Sequence, residues 1–293
     1  MRAPDFVAVG HVTVDHFGEV TRPGGAALYA AITAHRLGLS AAILTSHGAD
    51  FPLDEVPSQI EVVGLDAPAT TAFEHRETRG GRTLRVLGTA RPLTVDDLPE
   101  DWQPTPLALL APVLQEVDPG LATAFPDAAV GAELQGWLRA VDGQGVVSPT
   151  QWAAPDIALG RLQALFVSRH DVGGQETQVS EWVQRVPLAV VTAGAAGAIL
   201  YVNGDRYEVR PRRTREVDPT GAGDVFAATF LIHYDRLADA WEAAEAATCA
   251  ASLSVEGEGW SAVPAAATLA AALDAYRARA RCGRLGPRTR RAG

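Results

Sequence analysis

Lysine is absent from the 293-residue chain: its 25 basic residues are all arginine, against 35 acidic ones. A phosphate-binding P-loop needs its Gly-Lys-[Ser/Thr], a protein kinase its strand lysine, and a Schiff-base enzyme an amine. All three are excluded. Cysteine is nearly as scarce, with only Cys249 and Cys282, so neither a zinc ribbon nor a disulfide framework can form. Scarce cysteine fits a reducing cytoplasm. No apolar run approaches the roughly 20 residues of a membrane span. Met-Arg-Ala-Pro-Asp leads into a short apolar strand without a signal-peptide core. The expectation is a cytoplasmic protein with no membrane partner.

Hydrophobic residues make up 47% of the chain, enough for one large domain or two modest ones with a sizeable core. The net charge of −10 is unevenly spread, because Arg277 to Gly293 carries seven arginines and no acid. The rest of the chain is the more acidic for it, which argues against a nucleic-acid partner. Residues 282–293 read as a basic, solvated tail.

Short apolar runs alternate with helical patterns, which predicts an α/β chain with a parallel sheet. Phe6–Val9, Ala41–Thr45, Leu107–Ala111, Ala164–Val167, Leu188–Thr192 and Ile199–Val202 read as strands. Ala26–Leu37 reads as a helix stopped by Gly38. Gly223–Tyr234, Leu237–Ser254 and Ala265–Ala280 read as helices in the C-terminal third. Thr70–Arg76 and Thr83–Leu87, joined through Gly80-Gly81, read as a hairpin. It would either cover a site or form a plain edge.

The heptad Asp218-Pro-Thr-Gly-Ala-Gly-Asp224, followed by apolar Val225–Leu231, carries the most chemistry. A glycine-rich turn entering a helix points free N–H groups and the positive helix end at one spot, an anion site. It is not a dinucleotide fingerprint, since Phe226 stands where the third glycine belongs. Asp224 in the first helical turn sets a base beside that anion site.

The heptad resembles the second signature of the ribokinase-like (PfkB) carbohydrate kinase family, and further blocks follow in family order between about residues 5 and 265. The resemblance implies a three-layer α/β/α sandwich with a central, mostly parallel sheet and a small, shortened β lid. The kinase domain would span 1–281, its lid formed from about 11–23 and 68–90. By resemblance Asp224 is the catalytic base, and Gly221, Ala222 and Gly223 supply the anion hole. Gly24 and Gly25 resemble the substrate turn, where backbone must approach a ligand closely. Asp15 matches the family's hydroxyl-binding aspartate. Tyr29 stands where the family has asparagine.

Thr192, Gly194 and Gly197 resemble the Thr-x-Gly-x-x-Gly nucleotide turn, and Thr248 and Ser252 fall in the region that lines adenine. The family's Asn-x-x-Glu motif, which organises Mg²⁺ through water, aligns with Ser168 and Asp171. Both are shorter but keep oxygen chemistry. Arg139 is read either as a clamp on phosphate or substrate, or as a surface arginine over Trp137. Arg210, Arg212, Arg213 and Arg215 read as a phosphate-side cluster or as a solvated strand. The resemblance implies ATP and Mg²⁺ and allows a monovalent cation near Asp218.

Only seven residues separate His16 from Gly24, so the 70–87 hairpin is expected to supply most of the lid. That short lid resembles the myo-inositol kinase branch. The expected reaction is ATP-dependent phosphorylation of a hydroxyl on a sugar or inositol-like polyol by a monomer or homodimer. Tyr29 would lie along the acceptor's ring, with His75 and Arg85 at the rim. One rival is a nucleoside kinase, with Phe73 or Trp102 stacking a base; another is a nucleotide-binding regulatory protein with weakened catalysis.

Overall fold

The computed structural model describes residues 2–78 and 81–282. In chain order its strands are β1 (Phe6–Val9), β2 (Thr13–Phe17), β3 (Val20–Gly24), β4 (Ala41–His47), β5 (Glu61–Asp66), β6 (Thr71–Thr78), β7 (Gly81–Gly88) and β8 (Leu107–Leu110). There follow β9 (Ala129–Glu133), β10 (Arg139–Val141), β11 (Val147–Pro149), β12 (Ala164–Ser168), β13 (Leu188–Thr192), β14 (Ala198–Val202) and β15 (Asp205–Val209). The helices are α1 (Ala26–Arg36), α2 (Pro155–Leu159), α3 (Arg169–Val172), α4 (Glu176–Trp182), α5 (Ala222–Leu237), α6 (Ala240–Ser254) and α7 (Ala266–Cys282).

Among the described residues the large sheet has nine strands in the order β15-β14-β13-β12-β9-β8-β1-β4-β5. It is parallel from β13 to β5, with β14 and β15 antiparallel at one edge. The inner strands are apolar without alternation because both faces are covered. Phe6 and Ala8 face one layer with residues of α1, α5 and α6. Val7 and Val9 face the other, built around Phe125, Trp137, Trp152 and Trp182. This is the three-layer sandwich that the sequence predicts.

A second sheet, ordered β3-β2-β6-β7, stands apart from the first. The 70–87 hairpin gives the two longer strands of this sheet, and Thr13–Gly24 contributes the other two. The two residues Gly18 and Glu19 make a tight hairpin turn, and Gly18 takes the positive φ of 65° at its tip. The expected turn at Arg79-Gly80 lies outside the described residues.

The helical pattern expected to start at Leu237 is broken there. Ala238 adopts a left-handed φ of 51°, and the Asp239 carboxylate accepts from the amides of Trp241 and Glu242 at 2.8 and 3.0 Å, capping α6. No helix among the described residues is long and apolar enough to cross a membrane. The arginine-rich residues 283–293 lie outside the described residues.

Candidate active site

The heptad turns into α5 as its glycines require. Gly221 sits at φ 79°, and a Cβ there would lie 2.2 Å from the ring of Tyr29, so only glycine fits. A Cβ on Gly223 would meet nothing within 4 Å, which leaves open space over the first turn. The helical ladder starts with Val225 N–H donating to Gly221 O at 2.9 Å, while Ala222 N–H turns back to Pro219 O at 3.3 Å. Gly223 and Asp224 thus present the first-turn amides to the open side.

Tyr29, in α1, is 3% exposed. Its ring is taken up by Gly221, and its hydroxyl lies 4.0 Å from where a Cβ on Gly259 would be. The ring face expected along an acceptor instead supports the anion turn. Burial, then the charges of Asp218, Asp224 and Asp15, push its phenol well above the ordinary range.

Asp224 is 9% exposed and Glu133, at the carboxyl end of β9, 5%. Their side chains are hydrogen-bonded to each other, which demands one proton between two carboxyls. Burial raises Asp224 to about 6, opposed by the Glu133 hydrogen bond and the Arg139 charge and reinforced by Asp171 and Asp15. Burial, then Asp224 and Asp171, hold the Glu133 proton well above the usual carboxylate range. Burial also raises Asp171, against the charges of Arg139 and His170.

Arg139 donates to Val113 O at 3.0 Å and to Gln135 Oε1 at 3.1 Å. Those bonds tether it near the acids, in place of the loose surface position. Ser168, expected as a metal oxygen, is engaged otherwise: its hydroxyl oxygen caps α3 by accepting from His170 N–H at 3.2 Å.

The lid brings the acceptor-side residues together. Asp15 is 6% exposed, and a Cβ on Gly24 would fall 2.2 Å from its Oδ2. Gly25, at φ 100°, starts α1, and a Cβ there would collide with His11 O at 2.4 Å. His75 Nε2 lies 3.4 Å from Asp15 Oδ1. Arg85 does not join this rim: it stands opposite Glu74 on the other face of β6–β7 and donates to Gln144 O at 3.0 Å. Trp102 cannot stack a ligand under the lid, because it is buried in the far layer of the core.

At the donor end, Thr192 closes β13 and the Gly194–Ala196 turn follows. Gly194, at φ 53°, faces open space, while a Cβ on Gly197 would clash with Val209 O at 2.3 Å. Thr248 is buried with its hydroxyl unpartnered. Ser252 donates to Cys249 O at 2.9 Å and lies 3.4 Å from Arg212, which pairs with Glu256 at 2.8 Å. Arg210, Arg213 and Arg215 are exposed.

Residues 120–266, half the chain and including β9 and the entire heptad, match the family described as pfkB family carbohydrate kinase. The chain belongs to the pfkB family. A cytidine kinase from Thermococcus kodakarensis is 26% identical over 252 residues, covering 79% of this chain and 89% of that one. A pyrophosphate-dependent kinase of the ribokinase family, solved with a pyrophosphate analogue and myo-inositol, superposes with a TM-score of 0.76 at 20% identity, covering 91% of this chain and 99% of the other. Arabidopsis thaliana ribokinase, solved with ribose and ATP, gives a TM-score of 0.71 at 19% identity over 92% of this chain and 99% of the other. As a pfkB member the chain is a phosphotransferase acting on a hydroxyl, a sugar or nucleoside kinase of the ribokinase family.

Ribokinase-family kinases generally use ATP with Mg²⁺, although some use pyrophosphate, and the residues here fit the metal. Glu133 Oε2 is buried without a hydrogen-bond partner, and Asp171 adds a second carboxylate nearby. Among the described residues no three acids, histidines or cysteines are grouped to chelate an ion directly, so Mg²⁺ would be held through water and phosphate, its ordinary habit. A monovalent cation at Asp218 does not fit. That carboxylate already accepts from the amides of Thr220 at 3.0 Å and Gly259 at 3.2 Å, and Arg22 lies 3.4 Å away. Burial alone would raise Asp218, but these donors and the Arg22 charge hold it below its ordinary value.

Sequence reading missed Glu133. The signal was present: an acid ends the otherwise apolar strand Ala129–Glu133, at the carboxyl end where α/β ligands bind.

Proposed function

We propose that this is a cytoplasmic kinase that transfers the γ-phosphoryl group of ATP to a hydroxyl of a small neutral polyol of the inositol type. Residues 1–281 form the kinase domain, with 11–23 and 68–90 as its lid. The observation that carries the reading is the placement of buried Asp224 between an open helix N-terminus and the lid carboxylate Asp15.

In this reading Asp15 binds the acceptor and orients one hydroxyl toward Asp224. The hydroxyl proton passes to Asp224 as its oxygen forms the new P–O bond; the bond to the β-phosphate breaks and ADP leaves. The first-turn amides of α5 stabilise the charge on the transferring group. Mg²⁺ would neutralise the donor phosphates, held through water by Asp171 and Glu133. Thr192 and Gly194 take the donor phosphates, with Thr248 and Ser252 toward its base.

A neutral acceptor is favoured because the cation under the lid is already matched. Arg22, opposite Asp15 on β3, is paired with Glu258 at 2.7 Å and Asp218 at 3.4 Å. A second reading, a nucleoside acceptor, draws on the cytidine kinase relative and on the lid rings Phe17 and Phe73. Initial rates with ATP or pyrophosphate against myo-inositol, ribose, fructose, cytidine and adenosine decide between them. A tenfold preference for cytidine or adenosine in kcat/KM overturns the polyol; pyrophosphate as the better donor overturns ATP.

A further inference from the structure

The lid sheet has one face whose composition is not explained by packing. Alternation along β2 puts Thr13, Asp15 and Phe17 on that face, and the register of β2 with β6 places Thr13 beside Thr71 and Asp15 beside Phe73. His75 is the next residue of β6 on the same side. Its imidazole stacks on Phe17 with ring centroids 4.4 Å apart and planes inclined by 10°. That stack fixes the ring, and Nε2 comes to 3.4 Å from Asp15 Oδ1.

What the stack does not do is satisfy the ring. The His75 side chain is 11% exposed, yet both of its nitrogens are buried without a hydrogen-bond partner. Thr13 Oγ1, in the same corner, is also buried and unpartnered; a Cβ on Gly24 would lie 3.0 Å from it and 2.2 Å from Asp15 Oδ2. A buried polar group left unpaired is destabilising, because it gives up its water without gaining a partner. Here two such groups flank the carboxylate that binds the acceptor, and glycine keeps the space beside them clear. The ring nitrogens of an imidazole can donate to a hydroxyl or accept from one.

We propose that His75 is a specificity-determining residue of the acceptor site, reading a hydroxyl adjacent to the one bound by Asp15. The inference rests on the acceptor reading above, since it needs a ligand with at least two neighbouring hydroxyls. Cyclitols and the ribose of a nucleoside both provide them; a single-hydroxyl alcohol does not. Discrimination would arise because an acceptor lacking that hydroxyl leaves the imidazole desolvated and unpaired.

The test uses the full chain, with His75→Phe as the principal variant: it keeps a ring to stack on Phe17 and removes both nitrogens. His75→Asn, whose amide retains a donor and an acceptor, is the conservative partner, and melting curves establish that each folds. Values of kcat/KM are measured for myo-inositol with its monodeoxy analogues and for cytidine with its 2′- and 3′-deoxy analogues. For the better parent, wild type should reject one deoxy analogue by at least about tenfold. His75→Phe should lose activity on the parent but not on that analogue, so that the ratio falls below about threefold, and His75→Asn should recover part of it. An unchanged ratio for every analogue in a folded variant overturns the role of His75 and leaves the kinase reading standing. Turnover of neither parent, with either donor, overturns both.

Discussion

Glu133 and Asp224 meet as two buried carboxyls, each acting on the other's titration and both raised by burial. The arrangement keeps Asp224 ionised and ready at neutral pH although burial lifts it to about 6. Activity should therefore rise with pH along a limb near 6. Glu133→Gln keeps a donor toward Asp224 and should leave that limb in place. Glu133→Ala removes the donor and should move the limb to higher pH, because the Glu133 hydrogen bond lowers Asp224. Arg139, Asp171 and Asp15 also act on Asp224 and are common to all three proteins. Rate profiles from pH 5 to 9 check this; superimposable profiles for wild type and the alanine variant would refute it.

Asp224→Asn should cut turnover by on the order of 10²- to 10⁴-fold, the usual loss for a general base. Stability should move the other way. The folded value of Asp224, about 6, lies above the ordinary aspartate value of 3.8, so its contribution to stability is present below 3.8 and is lost as pH rises through 6. Asparagine carries no buried charge, so the variant should melt higher than wild type at pH 8 and lose that advantage near pH 4. A variant that is inactive and also less stable at pH 8 would point to a structural role instead.

The sandwich was legible because its inner strands are uninterrupted apolar runs and its turn glycines sit where the backbone needs them. Gly221, Gly24 and Gly25 each face an atom that a Cβ would strike, and sequence reading singled out all three. The lid was less legible. Thr13–Gly24 is too short and too polar to stand out as two strands, and its pairing with β6 joins residues far apart in the chain. Single side chains were hardest to place. Tyr29 aligned with a ligand contact yet packs against Gly221, and Ser168 aligned with a metal ligand yet caps a helix. In both cases a neighbour that alignment cannot reveal determines what the side chain touches.

Gly221→Ala should damage the anion turn in two ways: a positive φ costs an L-residue about 1–2 kcal/mol, and the new methyl would enter the Tyr29 ring at 2.2 Å. Tyr29→Phe should be nearly silent, since the ring rather than the hydroxyl fills that space. Tyr29→Ala should cost about 3–5 kcal/mol, as for other large aromatic truncations. Combined, Gly221→Ala and Tyr29→Ala should be less harmful than their sum, because the second change removes the clash created by the first. Denaturant melts of the four proteins measure the coupling; strict additivity would mean that the ring does not support the turn.

Asp171 and Ser168 should separate in a magnesium titration, although the same motif suggested both. Asp171 lies among the acids around Asp224, and burial raises it above its ordinary value despite the charges of Arg139 and His170. A nearby cation would favour its ionised form, which is the form that can order water around Mg²⁺. Asp171→Ala should therefore raise the Mg²⁺ concentration needed for half-maximal rate several-fold and leave the acceptor KM close to wild type. Ser168 has its oxygen on the His170 amide, so Ser168→Ala should leave the titration unchanged and cost about 1 kcal/mol of stability through the lost cap. Titrations of the two variants at saturating acceptor decide the matter. If Ser168→Ala shifts the curve and Asp171→Ala does not, the assignment of the two oxygens is reversed.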